Sequence, residues 1–112
     1  MEISADKAYW LFGYYHDRSI RLHVGGRIGG EEAACSAVIT AIERESHRIR
    51  IELSDSEGGQ SWDRIIPLRD ASYSLHLLGE KGFEEWVARR WHSVLILTYP
   101  DGTTLFFAEQ MH

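Results

Sequence analysis

Cysteine is almost absent from this 112-residue sequence, Cys35 being the only one. A lone thiol excludes an intrachain disulfide framework and suits a reducing compartment. Its sequence neighbours Glu31 and Glu32 disfavour a thiolate, so Cys35 reads as a small buried hydrophobe rather than a nucleophile. Proline is scarce, with two residues, and no repeat, low-complexity tract or Pro/Ser-rich linker divides the chain. Long apolar runs are missing as well. The longest, 8–15, is far short of the about 20 residues that a membrane-spanning helix needs. Residues 1–7 lack the basic start and apolar core of a secretory signal, and the expected location is the cytoplasm. Positive charge is in deficit: 12 Lys+Arg against 17 Asp+Glu give a formal net charge of −5. That balance argues against a general affinity for nucleic acid or anionic membrane.

What remains is the composition of one globular domain, 1–112, with 44% hydrophobic and 12% aromatic residues. A chain of this length buries about two-thirds of its unfolded surface and needs no disulfide or metal staple. Apolar residues alternate with polar ones at Ile20, Leu22 and Val24, at Ile49, Ile51 and Leu53, and at Tyr73, Leu75 and Leu77. Each pattern describes a strand with one face on a core. Pro100, Asp101 and Gly102 separate the strand-like stretches 94–99 and 103–107, which predicts a β-hairpin. Phe83, Trp86, Val87 and Trp91 fall at helical spacing, with Glu84 and Glu85 early and Arg89 and Arg90 late, which predicts a short helix.

Two segments read both ways. Cys35, Val38, Ile39 and Ile42 have helical spacing, but the β-branched residues around Thr40 favour a strand over 31–46. Ala8, Leu11, Phe12 and Tyr15 also have helical spacing, yet the aromatic run favours a hairpin turning at His16 and Asp17. The expected fold class is therefore mainly β. It is a small antiparallel barrel or strongly curved sheet of six to eight strands, with one short helix near 82–91. The alternative is an α+β sandwich with a helix at 5–15 or 31–46.

The segments 9–12, 94–97 and 105–107 are apolar on both faces if they are strands, and one short helix cannot cover them all. Surplus apolar area of this kind marks interfaces. The expectation is a homodimer, or docking of another protein, through aromatic strand faces carrying Trp10, Phe12, Phe106 and Trp86.

Chemistry-bearing motifs are sparse. The glycine-rich stretch 25–30 lacks the G-x-G-x-x-G spacing, and Glu31 and Glu32 would repel a phosphate, so it reads as a turning loop with Arg27 at its tip. His16, His23, His47, His76, His92 and His112 show no paired ligand spacing, and no metal or other cofactor is expected. Tyr15, His16 and Asp17 form the most concentrated set of general acid–base groups. Arg21, His23, Arg48 and Arg50 fall on the outward phase of two strands and suit one local anion site. The reading is a non-catalytic binding or protein-interaction module that associates with itself. The alternative is an enzyme or sensor taking a small molecule or anion near His16, Asp17 and the glycine loop.

Overall fold

The computed structural model describes residues 1–28, 31–55, 59–77 and 91–110, with the backbone alone at 27–28, 31–35 and 91–92. Ser4 opens the first regular element after the short strand β1 (Glu2–Ile3). Its Oγ accepts from the Lys7 N–H at 3.1 Å, satisfying a donor that a helix start leaves open. Asp6 adds a carboxylate to the first turn, where the helix dipole favours it. Helix α1 (Ala5–Asp17) follows, ending where Arg18 and Ser19 donate to the carbonyls of Tyr14 and His16. The hairpin expected over 9–15 is thus corrected to a helix. Ala8, Leu11, Phe12 and Tyr15 are its buried face, and their helical spacing outweighs the β preference of the aromatics.

The remaining regular elements of the described chain are strands: β2 (Leu22–Ile28), β3 (Glu31–Arg44), β4 (Arg48–Ser54), β5 (Ser61–Pro67), β6 (Ser72–Leu77), β7 (Trp91–Thr98) and β8 (Thr104–Gln110). All pair antiparallel in one eight-stranded sheet, ordered β1-β6-β7-β8-β2-β3-β4-β5. The expected main class holds, and 31–46 is a strand as favoured. The sheet is open, since β1 and β5 are its ends, but it curls strongly. The Tyr99 hydroxyl, just beyond β7, donates to the Pro67 carbonyl of the distant β5 at 2.7 Å. The Tyr73 hydroxyl of β6 likewise donates to Leu68, just after β5, at 2.8 Å.

Register places the core on the concave face. Leu75, Leu95, Phe107 and Val24 are lateral neighbours in one row, and Tyr73, Leu97 and Leu105 form the next. In β4 the alternation is complete: Ile49, Ile51 and Leu53 are buried and Arg48 and Arg50 exposed. Helix α1 closes this face, with Phe12 edge-on to Phe107 at 5.0 Å between ring centroids. Each such side chain stabilises the fold by about 1.5–3 kcal/mol relative to leaving it in water.

A bulge in β3 explains its misleading periodicity. Ile39 pairs with Leu53, but Ala41 pairs with Glu52, so Thr40 is the extra residue. The bulge brings Ile42 and Arg44, rather than Ala41 and Glu43, onto the concave face with Ile39. A strand interrupted in this way imitates helical spacing at 35, 39 and 42.

The convex face is also partly apolar. Val94 and Ala108 are buried there, outside the main core cluster, and Phe106 lies across Gly25, stacked on His23 at 5.9 Å. A side chain at Gly25 would run into that ring. Gly25 and Gly26 therefore belong to β2, not to the expected loop. The predicted hairpin joins β7 to β8, with Gly102 at φ +89° and Asp101 Oδ1 accepting from the Thr103 N–H at 2.9 Å. That backbone bond holds the Asp101 carboxyl below the usual carboxylate range. The helix expected near 82–91 lies outside the described residues, except that Trp91 opens β7. The Cys35 side chain also lies outside them. No helix among the described residues is long and apolar enough to cross a membrane.

Candidate functional site

Helical geometry that buries Ala8, Leu11, Phe12 and Tyr15 must turn Asp6, Tyr9, Trp10, Gly13, Tyr14, Asp17 and Arg18 outward. Those seven residues line a shallow trough of about 510 Å³ along the solvent side of α1. Trp10 dominates it, with 63% of its surface exposed. Tyr14, one turn on, stacks on one face of the indole at 5.8 Å and an interplanar angle of 8°. Gly13 gives the trough its floor, since an added Cβ would have nothing within 4 Å.

Two guanidinium groups dress the aromatic rim. Arg18 lies over the Tyr14 ring at 5.4 Å, and Arg44 over the Tyr9 ring at 4.7 Å. Arg44 Nη2 also donates to Asp6 Oδ1 at 3.3 Å. Exposed cation–π contacts are worth about 0.5–1 kcal/mol and exposed ion pairs no more than about 1. These contacts orient side chains more than they hold the fold. Arg44 reaches α1 only because the β3 bulge reverses its phase; in regular alternation after Ile39 it would point to the convex side.

The sequence-predicted acid–base set converges only in part: His16 meets Asp17, and Tyr15 does not join them. Tyr15 is fully buried, and among the described residues its hydroxyl makes no well-formed hydrogen bond, Ser93 being the polar side chain close to it. Burial, then the charge of Glu109, push that hydroxyl well above the ordinary tyrosine range, with Ser93 opposing. Ser93, itself buried, donates to Glu109 Oε2 at 3.3 Å. His16 instead lies at the side of α1. Its Nε2 donates to the Thr40 carbonyl at the bulge, and its Nδ1 faces Asp17 Oδ1, both at 3.2 Å. Thr40 Oγ1 in turn donates to Glu52 Oε1 at 2.9 Å. This chain of bonds ties the end of α1 to the bulge. Asp17 lines the trough beside His16, whereas Tyr15 points to the interior.

The anion candidates are dispersed. His23 pairs with Ser36 of β3, whereas Arg50 pairs with Glu43, seven residues further along that strand. The separation is about 23 Å. Arg48 pairs with Glu45, and Arg50 stands opposite the carboxylate of Glu43. Arg21 lies just before β2 with its carbonyl bonded to the Gln110 N–H. The side chain of Arg27 lies outside the described residues, and strand follows the glycine stretch where a phosphate loop would need a helix. Among the described residues no three His, Cys, Asp or Glu side chains gather closely enough to hold a metal ion. The His92 side chain and His112 lie outside them.

Of the aromatic interface set, Trp10 is on the surface, on a helix rather than a strand. Phe12 is corrected to a core residue, fully buried. Phe106 is half-buried on the convex face, and Trp86 lies outside the described residues. Reading the sequence missed Tyr9, Gly13, Tyr14, Arg18, Arg44 and Asp6 as one surface. The i, i+4 spacings of Asp6, Trp10, Tyr14 and Arg18 carried the signal for the helix part; nothing in the sequence announced the bulge that delivers Arg44. Comparison with protein family models, curated proteins and solved structures finds no match, so any functional reading rests on this site itself.

Proposed function

We propose that the chain is a non-catalytic protein-interaction module of the cytoplasm whose contact surface is the outward face of α1. The observation that carries this reading is Trp10: a tryptophan 63% exposed, backed by Tyr14 and flanked by Tyr9. Exposed aromatics clustered with arginine are the residues that dominate binding energy at protein interfaces. The trough is open and carries charge at both ends, through Asp6 with Arg44 and Asp17 with Arg18. A protein surface matches that shape better than a small molecule, which prefers an enclosed pocket with convergent polar groups. The burial of Tyr15 away from the His16–Asp17 pair further supports a binding role over catalysis.

A photo-crosslinking residue placed at position 10, with position 48 as an exposed control on β4, tests the reading. The expected result is a discrete adduct from position 10, identified by peptide mass, and none from 48. Absence of an adduct at 10, together with thermal stabilisation by a small metabolite or anion, would replace this reading with that of a ligand-binding enzyme or sensor.

A further inference from the structure

We infer that the free edge of β5 is a second contact surface, one that takes an extended, basic segment of another protein as an added strand. This surface is separate from the α1 face and does not depend on it. The ladder between β4 and β5 decides where the edge is open. The Leu68 N–H donates to the His47 carbonyl at 2.8 Å and the Asp55 N–H to the Gln60 carbonyl at 2.9 Å, both in the register of β4 with β5. Bonded and non-bonded pairs alternate in an antiparallel ladder. Trp62, Arg64 and Ile66 therefore turn their backbone groups to β4, whereas Ser61, Asp63, Ile65 and Pro67 turn theirs outward. Two side-chain contacts agree with this phase. The Pro67 carbonyl accepts from the Tyr99 hydroxyl at 2.7 Å, and the Asp63 carbonyl accepts from Arg64 Nη1 at 3.0 Å.

No described strand lies beyond β5, and among the described residues nothing bonds the outward N–H groups of Ser61, Asp63 and Ile65. Such an edge is a template for another strand, and folds blunt their edges by shortness, charge or proline. The opposite edge, β1, has only two residues. β5 is blunted at one end alone, where Pro67 lacks a donor and Tyr99 occupies its carbonyl. The open stretch 61–65 offers about 17 Å of backbone. Side chains on its convex side select the occupant. Asp63 stands directly opposite Glu52, and like charges so placed repel. Neither carboxylate has a cationic partner among the described residues, and Glu52 accepts only from Thr40. A Lys or Arg on the added strand beside Asp63 relieves that repulsion, and the net charge of −5 draws such a segment in. Ile65, on the same side and 46% exposed, calls for an apolar residue two positions from that cation. A second β5 is the poorer occupant, since pairing Ser61 with Ile65 would set Asp63 against Asp63.

Heteronuclear NMR of the whole chain, titrated with peptide to millimolar concentration, tests this. The probe is the end-capped peptide valine-threonine-lysine-threonine-valine, which reads alike in both strand directions. In the free protein the amides of Ser61, Asp63 and Ile65 are expected to exchange with solvent faster than those of Trp62, Arg64 and Ile66. With the peptide they should shift and become protected. Replacing its lysine by glutamate, or methylating the lysine backbone nitrogen, should abolish the effect. Asp63→Lys should weaken binding at least about tenfold. Ile65→Pro removes an N–H directed at solvent, so it should fold, keep the β4 ladder and lose the peptide. Slow exchange at 61, 63 and 65 in the free protein overturns the open edge. A peptide that leaves these amides unmoved, or shifts only those of α1, overturns the site. Binding that survives backbone methylation overturns strand addition, and equal binding of the glutamate peptide overturns the basic occupant. The same shifts on concentrating the protein alone would make a second copy the occupant and overturn the basic segment. The adduct at position 10 tests the α1 face separately from all of these.

Discussion

The two faces of α1 carry nearly the same residue types and do opposite things. Inward, Phe12 and Tyr15 meet other rings edge to face, Phe12 on Phe107 at 5.0 Å and on Tyr15 at 6.4 Å. Outward, Tyr9 and Tyr14 meet guanidinium groups and Trp10 meets water. Aromatic content alone therefore says nothing about which side is core. What separates the faces is the neighbour each ring is given, apolar strand residues on one side and arginine on the other. Energy follows the neighbour: about 1.5–3 kcal/mol for each inward side chain buried, against about 0.5–1 for an exposed cation–π contact.

The most damaging way to break this asymmetry is Phe12→Ala. Removing a fully buried ring leaves a cavity between α1 and Phe107, and stability in urea should fall by about 3–5 kcal/mol. A loss under about 1 kcal/mol would show that α1 does not close the core.

Tyr15→Phe probes the same face with the opposite sign. Among the described residues the Tyr15 hydroxyl is buried without a well-formed hydrogen bond, so deleting it should stabilise the protein by about 1 kcal/mol near neutral pH. The effect should grow in alkali. In the unfolded chain tyrosine ionises near about pH 10. Burial raises the folded-state value of Tyr15, so its contribution is intact below that pH and declines as pH rises, because the unfolded state releases its proton first. Melting temperature should accordingly drop less steeply above about pH 10 in the variant. Some alkaline loss will persist, since burial also pushes up Tyr73, and pushes Tyr99 to about 12. A variant with an unchanged alkaline profile would place Tyr15 in contact with water.

These contrasts also show what a linear reading can and cannot recover. The strands with one buried face were legible, because Ile49, Ile51 and Leu53 need nothing beyond period-two alternation. The final hairpin was legible because Asp101 and Gly102 perform local chemistry. Helix α1 had its signals, in the Ser4 cap and the spacing of Ala8, Leu11, Phe12 and Tyr15, but an aromatic-rich run invites a strand. β5 was faint, with Ile66 its only buried residue and hence no alternation to read. The bulge at Thr40 was invisible, since an extra residue is defined by the opposing strand and leaves no mark of its own. The surface built from α1 and Arg44 depended on both of those elements. Once 5–17 is known to be helical, its outward half follows from spacing; the Arg44 half needs the three-dimensional register.

On the outward face the expected changes are smaller. Gly13→Ala should stabilise the monomer by about 1 kcal/mol, the difference in helix propensity, because the new methyl meets nothing within 4 Å. Thermal unfolding at low protein concentration measures it without interference from association. A destabilised variant would mean that the helix backbone at Gly13 is not regular.

Trp10→Ala is the smallest of the set and the most telling beside Phe12→Ala, two residues away. Loss of the Trp10–Tyr14 stack costs about 0.2–0.5 kcal/mol, as for other i, i+4 pairs. Alanine's better helix propensity returns a comparable amount. Monomer stability should thus change by less than about 0.5 kcal/mol, read from urea unfolding at low concentration. The double variant Trp10→Ala/Phe12→Ala should then equal the sum of the single effects within about 0.5 kcal/mol, because the two side chains lie on opposite sides of the helix and are linked through the Tyr14–Tyr15 ring contact rather than directly. A stability loss above about 2 kcal/mol from Trp10→Ala alone would put the indole in the core and remove the basis for a contact surface. A small loss with clear non-additivity would mean that the two faces are coupled, so that whatever docks outside would be felt at Phe107.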